Sequence, residues 1–281
     1  MSFLDHIARC NDHDMSKFRP FLVDGAVVGH VRNDNAEHLA RFPEVFGVSP
    51  KEILLSPELD TYGARTSAVD RVLRALTDEG VLSNWRNEPY PVGGTWGGPH
   101  AFEIERAAAP FFGTRAYGVH INGYTRKSGE LMMWIGVRAD DRPVCPGELD
   151  NMVAGGQPVG LGLRENVLKE AAEEASVPEE LAGHAIPVGA ISYVMEDALG
   201  LKPDLMYCWD MELPPDFEPI NTDGEIAEFR LLPAAEVMEI VDTTFDFKFN
   251  CNLANIDFFI RHGVLAPEHP DYEAILKGLR M

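Results

Sequence analysis

"GGQPVGLGLRENVLKEAAEEASV", Gly155 to Val177, is a glycine-spaced loop that runs into a helix crowded with glutamates. Like charges three and four residues apart on a helix repel, by about 0.2–0.5 kcal/mol per pair when exposed. The chain already carries a formal net charge of -21, so something has to offset the extra repulsion. At about 100° per residue, Glu170, Glu173 and Glu174 share one side with Asn166 between them, and Val167, Leu168, Ala171, Ala172 and Ala175 take the other. Such a helix packs its apolar face inward and presents three carboxylates together. That is the donor set of a hard cation such as Mg²⁺, which binds through carboxylates, carbonyls and retained waters. A solvated face would mix signs at four-residue spacing, whereas only Lys169 interrupts this one.

Composition narrows the setting. The 281 residues are 45% hydrophobic, enough for one large or two ordinary cores. No stretch approaches the roughly 20 apolar residues of a membrane span, and Asp5 in "MSFLDHIARC" argues against a transit peptide; the expected location is cytoplasmic. Cys10, Cys145, Cys208 and Cys251 lie far apart with no zinc-type spacing, and are read as reduced thiols. With 45 acidic against 24 basic residues, sequence-independent nucleic-acid binding is disfavoured. An anionic small molecule needs a metal or a local basic pocket.

The period of the pattern changes along the chain. "PFLVDGAVVGHV" reads as a hairpin around Asp24-Gly25, and "RTSAVDRVLRALTDEGVL" as an amphipathic helix opened by Thr66 or Ser67 and closed near Gly80. A turn-rich loop, "YPVGGTWGGPH", follows, and the helical "IERAAAPFF" leads to a boundary at Ala107 to Pro110. Beyond it, "RAYGVHINGY", "LMMWIGVR", "PVGAISYVME", "DLMYCWDMEL" and "EIAEFRLL" read as strands, with the glutamate helix among them and three helical stretches after "PAAEVMEIV". The expectation is an α+β protein: an accessory domain over residues 1–107 and, over 108–281, a mixed sheet covered by helices.

Other glycine motifs fail. From Gly155 to Gly160 the spacing imitates a phosphate-binding P-loop, but Leu161-Gly162 stand where Lys and Ser/Thr belong. No GxSxG, HExxH or dinucleotide fingerprint has credible context. The loop and helix instead resemble the Nudix (MutT-like) box: Gly, five residues, Glu, seven residues, then Arg-Glu-U-x-Glu-Glu-x-Gly-U, with U a bulky apolar residue. Gly155, Glu170, Ala171, Glu173, Glu174 and Val177 take their positions; Leu161 replaces the first Glu, Lys169 the Arg and Ser176 the last Gly. With Leu161 present no carboxylate is left to match an Arg fork, so a Lys point charge can serve. Further segments, from "RAAAPFFGTRAYGVHINGY" to "DFKFNCNLANIDFFIRHGVL", are similar to the Nudix subfamily related to thiamin pyrophosphokinase. That similarity runs from about Phe102 onward, with a weaker match to its extra N-terminal domain.

The resemblance implies an α/β/α sandwich preceded by a smaller α+β domain, and a Mg²⁺-dependent hydrolase, with Mn²⁺ as substitute. Its substrate would be an organic diphosphate, thiamin diphosphate or its oxidised forms being the candidates. It implies Glu173 and Glu174 as metal ligands, Glu170 as ligand or base, and the Ala154 carbonyl in the metal shell. For substrate selection, strand alternation sets His120, Asn122 and Tyr124 on one face, where they line a pocket or merely face outward. Lys248, Asn250 and Asn252 in "TTFDFKFNCN" stand before an apolar helix, the lysine suited to diphosphate charge, Asn250 a candidate substrate contact, and Asn250 or Asn252 the N-cap. Glu225 and Glu228 offer a late carboxylate or a plain strand edge, and Trp96 a loop residue or a ligand clamp. The partners expected are a small-molecule diphosphate and no nucleic acid or membrane, and a homodimer is compatible. Leu161 keeps open a catalytically weak sensor of nucleotides or thiamin derivatives. Isomerisation of an isopentenyl-type diphosphate lacks the paired Cys and Glu it needs.

Overall fold

The computed structural model describes residues 1–280. The chain begins with α1 (Phe3–Arg9) and then the hairpin β1 (Phe18–Val23) and β2 (Ala26–Arg32), turned at Asp24-Gly25, both at positive φ. α2 (Asn35–Leu39), β3 (Phe46–Val48), β4 (Ile53–Leu55) and α3 (Tyr62–Asp78) follow, then β5 (Pro89–Val92), β6 (Phe102–Glu105) and α4 (Ala109–Phe112). Strands β2-β1-β4-β3 form one sheet, with β1 and β4 parallel, and β5-β6 form a separate hairpin. Val69, Val72, Leu73 and Leu76 of α3 pack with Phe21, Phe46, Phe102, Phe111 and Phe112 into one core.

Two readings need correction. α3 opens four residues before Thr66, because the Thr61 side chain accepts from Ala64 N–H at 3.2 Å and so caps it earlier. The stretch "IERAAAPFF" is not one helix: Ile104 and Glu105 belong to β6, the Glu105 carboxylate caps a 3-10 turn, and α4 follows with Pro110 in its first turn.

The second sheet is built from β7 (Tyr117–Lys127), β8 (Glu130–Arg138), β9 (Leu149–Asn151), β10 (Val153–Gly156), β11 (Ile186–Glu196), β12 (Leu201–Glu212) and β13 (Ile226–Pro233). Its order is β11-β12-β7-β8-β13, mixed because β12 and β7 run parallel; β10 pairs with the first half of β7 and β9 with the end of β8. Between β10 and β11 lie α5 (Leu163–Ala175) and α6 (Glu179–Ala182); α7 (Ala234–Thr243), α8 (Cys251–Arg261) and α9 (Tyr272–Gly278) come last. α5 covers one face through Val167, Ala171 and Ala175 against Val119 and Ile121. α7, α8 and α9 cover the other, through residues such as Phe258 and Ile275 against Ile135, Ile191 and Met206. This is an α/β/α sandwich. Phe3, Ile7 and Cys10 of α1 join that second core, so the first helix packs with the last ones.

Candidate active site

The glutamate helix lies along β10, and its acidic residues meet the strand in order. Glu174 Oε2 accepts from Ala154 N–H at 2.9 Å. N–H and C=O of one strand residue point the same way, so the Ala154 carbonyl is turned to that same edge, away from β7. One turn earlier the Glu170 carboxyl lies against Gly155: a Cβ there would come within 2.6 Å of Glu170 Oε1. A side chain at position 155 would displace the Glu170 carboxyl, so the glycine that opens the motif leaves it room to lie there. Burial pushes the Glu170 carboxyl up from its ordinary pKa, against the pull of Lys169. Glu174 is pushed well above the carboxylate range by burial, opposed by the Ala154 N–H and reinforced by Glu170 and other acids.

Glu173 lies differently. Its carboxylate is half exposed and bonds Lys169 Nζ at 2.8 Å, while Lys169 also touches Glu170 at 3.2 Å. Lys169 thus stands where the repulsion between neighbouring glutamates would be greatest. The structure brings Glu170, Glu174 and the Ala154 carbonyl to one edge, with Glu173 beside them on the rim.

Three features bear on whether a divalent cation fits. The donors are carboxylate and carbonyl oxygens, the set that suits Mg²⁺. Glu174 is buried with no cation against it among the described residues, a costly arrangement for an ionised carboxyl. No three His, Cys, Asp or Glu side chains among the described residues converge closely enough to hold a metal ion by themselves. The residues fit the group.

The loop before α5 is fastened by amides. Asn166 Nδ2 donates to the Gly156 carbonyl at 2.8 Å and to Gln157 Oε1 at 3.0 Å, and Gln157 Nε2 donates to the Leu161 carbonyl at 2.6 Å. Both amides are fully buried. They hold loop to helix where Leu161 leaves no carboxylate to do so. The sequence places Asn166 on the right face, but its pairing with Gln157 depends on how the loop folds back. Ser176 sits at the left-handed C-cap of α5, φ 52°, with its Oγ donating to the Ile220 carbonyl at 2.9 Å.

His120, Asn122, Lys248 and Asn250 are brought together, on the sheet face opposite α5. His120 Nδ1 bonds Asn151 Oδ1 at 2.9 Å, Asn151 Nδ2 reaches Asn122 Oδ1 at 3.0 Å, and Asn122 Nδ2 donates to Asp210 Oδ1 at 3.3 Å. Lys248 Nζ lies 3.3 Å from Asp150 Oδ2, which also takes Arg138 at 2.7 Å. Asn250 occupies the N-cap position of α8 without a capping bond; its Nδ2 goes instead to Tyr193 Oη at 3.3 Å. Burial first, then Lys248, holds the His120 imidazole down at about 4. Glu225 pairs with Arg142 and Glu228 with Arg230, and Trp96 lies against the Tyr117 ring at 5.3 Å.

Comparison with known proteins fits this geometry. Residues 2–116 match a family model described as a domain of unknown function, DUF4743. Over 99% of its length the chain is 40% identical to Nudix hydrolase 24, chloroplastic, of Arabidopsis thaliana, covering 77% of that protein. The chain belongs to the Nudix hydrolases. Nudix hydrolase 20, chloroplastic, of the same plant is also 40% identical, with 77% of it covered. An uncharacterised Saccharomyces cerevisiae protein is 32% identical over 82% of this chain and 72% of its own. The protein is an enzyme that hydrolyses a diphosphate linkage, in a family that generally uses divalent metal ions. The plant relatives' names place those proteins in the chloroplast and lend no support to a cytoplasmic location. No helix among the described residues is long and apolar enough to cross a membrane.

Proposed function

We propose that the chain is a Mg²⁺-dependent hydrolase of an organic diphosphate of the thiamin type, with Mn²⁺ able to substitute. The observation that carries this reading is the placement of Glu170 on Gly155 and of Glu174 on the Ala154 N–H, which aims two desolvated carboxyls and a backbone carbonyl at one edge. Glu170, Glu174 and the Ala154 carbonyl would hold the metal, joined by Glu173 when it leaves Lys169. When bound, the metal spreads the negative charge that develops on the phosphates and makes its water more acidic. Glu170, where it is not itself a metal ligand, is the group on that same edge placed to take the proton from the attacking water. Water adds at phosphorus, the P–O–P bond breaks, and the products are a monophosphate ester, inorganic phosphate and a proton. The thiamin preference is supported by the subfamily resemblance of the segments flanking the box. A catalytically weak ligand sensor is the second reading, and Leu161 in place of the box Glu is the observation that favours it.

The test is phosphate release with Mg²⁺ or Mn²⁺ over thiamin diphosphate, its oxidised analogues, ADP-ribose, dinucleotides and nucleoside triphosphates. Turnover of the thiamin compounds by wild type, lost on chelation, is expected. Preference for ADP-ribose by orders of magnitude would overturn the thiamin reading, and no turnover of any diphosphate would favour the sensor.

A further inference from the structure

The N-terminal unit reaches the box. Val159 N–H donates to the Pro89 carbonyl at 2.8 Å, tying the loop before α5 to β5. Gly156 is the next contact: a Cβ there would lie 2.8 Å from Cζ and Nη1 of Arg106 and would overlap Tyr90 Oη. The Arg106 guanidinium therefore rests on the strand residue adjoining Gly155, on the face of β10 opposite the one where Glu170 lies, near enough for the Glu170 charge to act on it. Its Nη1 donates to Glu88 Oε2 at 2.9 Å and it sits 5.7 Å from the centre of the Tyr90 ring. Burial works against its charge; Tyr90, Glu88 and Glu170 more than restore it.

A tie between domains does not explain this placement. Partly exposed ion pairs contribute about 0–1 kcal/mol, and holding Glu88 does not require a glycine underneath. Arg106 gives only Nη1 to Glu88 among the described residues, although a guanidinium carries several donors in a planar fork. That fork matches phosphate oxygens bidentately, and 39% of the side chain stays exposed. In a protein of net charge -21, such a cation would act beside the metal in offsetting the repulsion met by an anion at the box.

We propose that Arg106, supplied by the N-terminal unit, grips a phosphate group of the diphosphate lying at the box, so that both units form one active site. The proposal rests on the diphosphate-hydrolase reading above. Glu88 restrains and aims the guanidinium while competing with the ligand for it.

The test is calorimetric binding of inorganic pyrophosphate with Mg²⁺ to the full chain, alongside turnover of thiamin diphosphate. Arg106→Ala is expected to weaken pyrophosphate binding about tenfold or more, as loss of a charge-assisted hydrogen bond does. Arg106→Lys should recover part of that loss, and Glu88→Gln should tighten binding severalfold by removing the competing carboxylate. If Arg106→Ala does not fold, the other two variants decide, because a purely structural seam predicts no tightening from Glu88→Gln. Wild-type binding with all folded variants within twofold of it would overturn the role of Arg106 while leaving the box intact. A wild type that neither binds pyrophosphate nor cleaves any diphosphate would overturn the underlying reading, and this proposal with it.

Discussion

Lowering the pH from 7 to 4 should destabilise this protein through His120, and the effect decides whether that residue is core or ligand. The imidazole is held at about 4 by burial and by Lys248, against an ordinary value of about 6.5. A base with a depressed folded pKa binds fewer protons folded than unfolded, so its stabilising contribution is complete above pH 6.5 and is lost as pH falls toward 4. At about 1.36 kcal/mol per pH unit, the loss across that window is about 3 kcal/mol. Urea unfolding at half-unit intervals, for wild type and His120→Asn, isolates it, since His6 and His30 contribute equally to both proteins. The variant should be less stable at pH 7 and show a much flatter profile, so that the gap narrows by about 3 kcal/mol at pH 4. Below that pH a different group takes over: Asp150, held at about 2 because Lys248 and Arg138 outweigh its burial, contributes stability that disappears between about 4 and 2 in both proteins. Parallel curves between pH 6.5 and 4 would refute the reasoning. An imidazole that titrates by NMR near 6.5 would do the same, showing that solvent reaches it and leaving it free to meet a substrate.

Asn166→Ala removes two buried hydrogen bonds and leaves the Gly156 carbonyl and Gln157 without that partner; at about 1 kcal/mol per bond plus the orphaned groups, urea denaturation should show a loss of about 2–3 kcal/mol, and a loss below 0.5 kcal/mol would deny the clasp. Glu170→Gln and Glu174→Gln should each lower turnover at least about a hundredfold at any Mg²⁺ concentration while the fold survives, because the charge acts mainly on the transition state; near-wild-type rates at limiting Mg²⁺ would remove them from the site. Glu173→Gln, whose carboxylate starts on Lys169, should instead raise the Mg²⁺ requirement and recover on added metal, which a full Mg²⁺ titration reads. Leu161→Glu should leave turnover within about twofold of wild type, since the amides already fasten the loop; a gain of tenfold or more would mark the native box as degenerate and revive the sensor reading.

What the sequence reveals follows from how local each signal is. The α5 carboxylates are legible because a 3.6-residue period fixes which side chains share a face, and the glutamates are too many for a solvated surface. The alternation of β7 likewise sets His120 and Asn122 on one face, where they are found. It says nothing about what covers that face, and the answer, α8 with Asn250 and Cys251, comes from more than a hundred residues away. Polar residues on a strand therefore read equally well as a pocket lining or as an internal network. The same limit hides the loop fastening. Leu161 looks like a defect when the box is compared position by position, yet the task of its missing carboxylate passes to Gln157 and Asn166, whose partnership exists only once the loop has turned back on the helix. Arg106 lies beyond local inference for a further reason. It stands in "IERAAAPFF", the segment whose pattern suggests a join between two domains, and a join suggests a spacer with no chemistry of its own. In the fold that segment is where the 3-10 turn after β6 sets a guanidinium on Gly156. On the proposal above, a truncation made at this boundary would remove a cation from the box together with the N-terminal unit.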